Sequence, residues 1–160
     1  MPLVTLAATL TASTPTLGGG VARGYIESVG TRFWITQQRI YLGDPAAGEG
    51  VQPGATPPQL SGLPVLVVEN SILRQANAEG ANNGYLVIGV AEGNQLLVRF
   101  SGTVGPIGPD NTGPLNGRFV VVDGTGPDFS GAIGSGTYTG TADFAHQRFT
   151  ITAAGAVFLL

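Results

Sequence analysis

Few side chains in this sequence are equipped for acid–base or nucleophilic chemistry. His146 is the only histidine, and neither cysteine nor lysine occurs. Without Cys there is no thiolate nucleophile, disulfide or zinc–thiolate site. His146 falls at a turn between two strands, where an exposed histidine is the expectation, and no G-x-S-x-G elbow accompanies it. Among the carboxylates, Glu69 in Leu66-Val67-Val68-Glu69-Asn70 has the most apolar surroundings. Buried there, its carboxyl rises in pKa and serves as a general acid or base; at a strand end in water it does neither. Arg99 sits between Leu97 and Ser101 in an apolar strand. Turned inward, it orients a carbonyl or carboxylate; turned outward, it is a surface cation. Glu69 and Arg99 are therefore the candidate catalytic residues. Tyr25, Trp34, Gln38 and Tyr85 are the candidate ligand-binding residues, an aromatic and hydrogen-bonding set placed by strand parity.

Cofactor and metal motifs are missing. Asp123-Gly124-Thr125-Gly126-Pro127-Asp128 is rich in oxygen ligands, but its spacing does not match a calcium loop and reads as turn-forming Asp. The Gly-rich pieces have no Lys and no following helix, so they are not phosphate loops. No cofactor and no metal is expected. The seven basic residues are all Arg and are scattered along a chain of net charge −3. A nucleic-acid interface needs a clustered basic footprint, so no such partner is expected. No apolar run approaches the ~20 residues of a membrane helix. The stretch from Met1 to Ser13 lacks the positive region of a signal peptide, so a first strand is expected there rather than a leader; this favours a cytoplasmic chain slightly and leaves export without a cleaved signal open.

The elements that must position these residues are strands. The 160 residues suit a single domain spanning 1–160. Charged residues make up 11% of them, well below the ~25% of ordinary soluble domains, while 42% are hydrophobic. Runs of Val, Ile, Thr, Phe and Tyr bounded by Gly, Pro, Asn and Asp predict strands near 3–11, 20–29, 31–42, 63–70, 84–91, 95–104, 117–123, 134–144 and 147–159. Gly93-Asn94 and Ala145-His146 mark hairpin turns. Helical character is confined to 71–78, as one short helix or turn. Two long Gly/Pro-rich connections, 43–62 and 105–116, read as contact loops, lids or flexible surface segments. Eight or nine short antiparallel strands predict an all-β closed barrel of about eight strands. The segments Leu63–Val68 and Tyr85–Val90 are apolar on both faces, so the outer surface is expected to be covered by another copy in a homo-oligomer.

The segment 117–138 carries a strand, then Gly124-Thr125-Gly126, then Phe129, then Gly131-Ala132-Ile133-Gly134 opening another strand. It resembles the turn of the allene oxide cyclase and dirigent barrels, a superfamily related to bacterial spirotetronate cyclases. The resemblance implies a calycin-like barrel and, more remotely, ring closure or isomerisation of an apolar substrate. It carries over no catalytic residue. The acidic and amide residues of the first strand of allene oxide cyclases are replaced here by Thr, and the family's Cys is absent.

Two function classes follow. One is a small-molecule-binding barrel that cyclises or isomerises an apolar polyketide- or lipid-like substrate by folding it and hydrogen-bonding to it. The other is a non-enzymatic structural subunit of a coat, filament or other assembly, using its charge-poor outer surface. A cavity with converging polar groups distinguishes the first from the second.

Overall fold

The computed structural model describes residues 3–13, 21–89, 91–146 and 148–159. They form one antiparallel sheet built from β1 (Leu3–Ser13), β2 (Val21–Ser28), β3 (Thr31–Leu42), β4 (Gly50–Val51), β5 (Val65–Arg74), β6 (Gly80–Ile88), β7 (Leu96–Val104), β8 (Thr112–Gly124), β9 (Ile133–Asp143) and β10 (Arg148–Phe158). The order is β2-β3-β5-β6-β7-β8-β9-β10-β1-β4. From β5 to β10 each strand pairs with its neighbour in sequence, as short hairpin connections dictate. Then β1 returns to pair along its length with β10. Among the described residues no ladder joins β2 to β4, the two ends of the sheet.

The segment 71–78 is not helical. Ser71, Ile72, Leu73 and Arg74 continue β5, paired to β3 on one side, and the first three also pair to β6 on the other. A helix of eight residues is marginal alone, and two ladders of backbone hydrogen bonds outweigh its weak propensity. The helical turn that does occur is Gly126–Phe129. The long connections are also more ordered than their composition suggests. Residues 43–62 contain β4 and two 3-10 turns, and Val51, Ala55 and Leu60 are buried. The second connection is shortened because β8 begins at Thr112, and its Ile107 packs on Leu73, Ala78 and Val104.

One face of the sheet lines a common interior with residues from β3 through β10. Following the register around it gives stacked rows. One row runs Gln38, Glu69, Gly84, Phe100, Phe119, Gly136, Gly155. The adjacent row runs Thr36, Ser71, Asn82, Gly102, Gly117, Tyr138, Ala153. Inward glycines let strands bend tightly and leave space inside. A large apolar core fills one end with Leu42, Leu60, Val65, Phe129 and Val157. A smaller cluster of Leu73, Ala78 and Val104, with Trp34, Ile107 and Leu115 against it, closes the other. The two middle rows lie between these plugs.

The turn after β8 shows what its residues are for. Gly126 and Gly131 both have φ of +74°, a conformation that a side chain strains. Gly124 instead lacks room, since a Cβ there would strike the Phe129 carbonyl. Phe129 is 1% exposed beneath the turn. Asn94, in the β6–β7 turn, donates to Asp128 Oδ2 at 2.9 Å and accepts from the Asp128 amide at 3.1 Å, tying the two turns together.

Candidate functional site

Between the two plugs lies a cavity of about 160 Å³. Its walls are mostly Val, Leu, Ile and Phe, with Gln38, Glu69, Ser71, Asn82 and Tyr138 among the polar exceptions. Strand parity puts them there. Gln38 faces Glu69 across the β3–β5 ladder, and Ser71 faces Asn82 across β5–β6.

Glu69 is the centre of this group. Asn82 Nδ2 donates to its Oε2 at 2.6 Å, and the Ser71 hydroxyl donates to its Oε1 at 3.3 Å. Asn82 also donates to Ser71 Oγ at 3.0 Å, so the three side chains close a small network. Burial pushes the Glu69 carboxyl above the usual carboxylate range, and the hydrogen bonds from Asn82 and Ser71 oppose that shift. Among the described residues no Arg or His lines the cavity.

Tyr138 reaches the same space from β9. Its ring lies over Gly117, its register partner, and its hydroxyl lies over Gly102 on the next strand. Gly102 in turn is opposite Asn82. Two missing side chains thus let a phenol cross two strands toward the residue that grips Glu69. Burial and the Glu69 charge push the Tyr138 phenol up to about 12. Phe100 meets its ring edge-on, with centroids 6.1 Å apart.

Of the residues singled out from sequence, Glu69 and Gln38 line this cavity. Trp34 belongs to the smaller apolar cluster at one end. Tyr25 lies opposite Trp34 in the β2–β3 ladder, and its side chain is outside the described residues. Tyr85 and Arg99 require correction as inward-facing residues. They are paired across β6–β7 on the opposite face, where Tyr85 is 44% exposed and Arg99 is exposed. Leu86, Val98 and Phe100 take the inward positions, so Arg99 orients nothing inside. His146 sits in an exposed turn, its ring 2.8 Å from Asp143. Among the described residues no cluster of three or more metal-ligating side chains occurs.

Sequence reading missed Ser71, Asn82 and Tyr138. For Tyr138 a signal was present: alternate residues of β9 read Gly134, Gly136, Tyr138, Gly140, Ala142, with one large side chain in a row of small ones. Ser71 and Asn82 acquire meaning only from the pairing of β5 with β6.

No protein-family model, no curated protein and no solved structure matches the chain.

Proposed function

We propose that the chain is a small-molecule-binding β-barrel that isomerises or cyclises an apolar, ketide- or lipid-like substrate, with Glu69 as its acid–base group. The carrying observation is a single carboxyl, fixed by Asn82 and Ser71, in a cavity otherwise lined mainly by hydrocarbon. An apolar substrate gains by leaving water, and a shaped cavity holds it near its reactive conformation. In such an apolar site a fixed carboxyl interacts strongly with charge developing on the substrate.

Closure of the sheet is part of this reading. It is supported by the way β3 to β10 line one interior and by the position of β4, which pairs with β1 while Gly50 approaches the Leu42 carbonyl at the end of β3. The resemblance of 117–138 to the allene oxide cyclase and dirigent turn supports it too.

Titration of the protein with toluene and cyclohexanone, followed by calorimetry, tests the reading. Saturable binding of both is expected. A chain that binds neither is not a small-molecule barrel.

A second reading, self-assembly through the outer face, is favoured by Tyr41, Ile133 and Val122, which are 59%, 55% and 51% exposed. Light scattering decides it: a homo-oligomer is expected, and a monomer at high micromolar concentration removes it.

A further inference from the structure

We propose that the cavity is built for an enolisable ketone, with Tyr138 as a second catalytic residue: its hydroxyl holds the carbonyl oxygen while Glu69 takes the α-proton. This rests on reading the cavity as a ligand site. Three observations carry it. Tyr138 spans Gly117 and Gly102 and ends beside the strand position of Asn82, which holds Glu69 at 2.6 Å. Among the described residues no hydrogen bond engages the Tyr138 hydroxyl, and no buried polar atom is left unsatisfied, so that hydroxyl faces accessible space. Among the described residues the lining has a carboxyl and no cation, and its predominantly hydrocarbon wall suits a neutral ligand.

The step balances within the site. The Glu69 carboxylate removes a proton from the carbon next to the carbonyl. The C–H electron pair becomes the enolate C=C bond, and the carbonyl π pair moves onto oxygen, where the Tyr138 O–H donates a hydrogen bond. The Glu69 carboxylic acid then returns the proton. Returned to the same carbon, it gives hydrogen exchange. Returned to the γ-carbon of a β,γ-unsaturated ketone, it shifts the double bond into conjugation. No oxidant, reductant or other reactant is needed. Charge appears on oxygen only as the proton leaves, so the phenol stabilises the transition state more than the bound ketone. The cavity volume is on the order of one that admits benzene, which sets a single six-membered ring as the test substrate.

The test combines three measurements on the whole chain: toluene binding, α-deuterium exchange of cyclohexanone, and conversion of cyclohex-3-enone to its conjugated isomer. The expected result is catalysis above buffer with saturation in ketone. Tyr138→Phe should lower kcat about 100-fold with little change in KM, and Glu69→Gln at least as much. Toluene should still bind both variants. If the unaltered chain binds toluene and ketone but neither exchanges nor isomerises it, the inference fails and the ligand site stands. If toluene does not bind, the site reading fails as well. If folded Tyr138→Phe keeps the full rate while Glu69→Gln loses it, Tyr138 is not catalytic. The unaltered chain decides the central point even where a variant does not fold.

Discussion

The hydroxyl of Tyr138 occupies the place that a side chain on Gly102 would take. The two residues lie on strands separated by β8, and only the absence of side chains at Gly102 and Gly117 lets the ring pass between them. This relationship links strand register to the chemistry of the cavity. Its first consequence is a substitution. Gly102→Ala places a methyl group against both the phenol and the Asn116 carbonyl. It should destabilise the fold by ~1–3 kcal/mol through overpacking. Thermal melting and ketone turnover, measured together, should both fall. Unchanged values of both would show that Tyr138 lies elsewhere.

Phe119 repeats the arrangement one row away. A Cβ on its register partner Gly136 would lie 2.6 Å from two of its ring atoms, and Gly155 is close to the same ring. Gly136→Val is therefore expected to cost stability, by ~1–3 kcal/mol. Denaturant melts check this, and a midpoint at or above that of the parent contradicts the packing.

The raised pKa of Glu69 makes a signed prediction. The folded state holds the Glu69 proton more tightly than the unfolded chain does. The associated stability is fully present below the ordinary carboxylate pKa and is lost as pH rises through the folded value. From the packed elements, β3 presents Gln38 and Thr36, β6 presents Asn82, and β9 presents Tyr138, which stays protonated throughout this window. Exposed Asp110 and partly exposed Asp143 are shifted downward by their hydrogen bonds, so their contributions are lost as pH falls. The difference between parent and Glu69→Gln isolates the buried group. Glu69→Gln should gain stability relative to the parent as pH rises from the ordinary carboxylate range towards neutrality. Parallel melting curves across that window would contradict a desolvated carboxyl.

The double hydrogen bond between Asn94 and Asp128 ties the β6–β7 turn to the turn after β8. Asn94→Ala should cost ~1–2 kcal/mol, since it leaves the partly buried Asp128 groups without their partner. Gly131→Val, which forces a β-branched residue to φ of +74°, should cost ~1–3 kcal/mol. Equilibrium unfolding of each variant is the check. A loss from Gly131→Val with none from Asn94→Ala would separate turn geometry from turn docking.

Much of the sheet was legible because periodicity and turn chemistry agree. Gly93-Asn94 does separate β6 from β7, and Ala145-His146 does lie in the turn between β9 and β10. Of the helix or turn expected in 71–78, only a turn at 75–77 forms, because Ser71 to Arg74, good helix formers Leu73 and Arg74 included, are held in strand pairing. Parity was right for Trp34 and Gln38, which share the inner side of β3. It could not say which side of β6 and β7 faces inward, and there Tyr85 and Arg99 turned out to lie outside. On a strand, a choice of face moves every side chain at once. Glu69 was found from its apolar neighbours alone. Its supports were not, because Asn82 is 13 residues away and meets Glu69 only through the ladder.

A ligand cavity around Glu69 on the inner face of the sheet is open to a direct measurement: amide and methyl NMR during titration with cyclohexanone. Saturable shifts are expected, centred on the inner residues Leu86, Val98 and Ile151 and on the neighbours of Glu69, with little change at Tyr41 and Tyr85 on the outer face. Shifts that never saturate, or that concentrate on Tyr41 and Tyr85, would mean that no ligand cavity lies around Glu69.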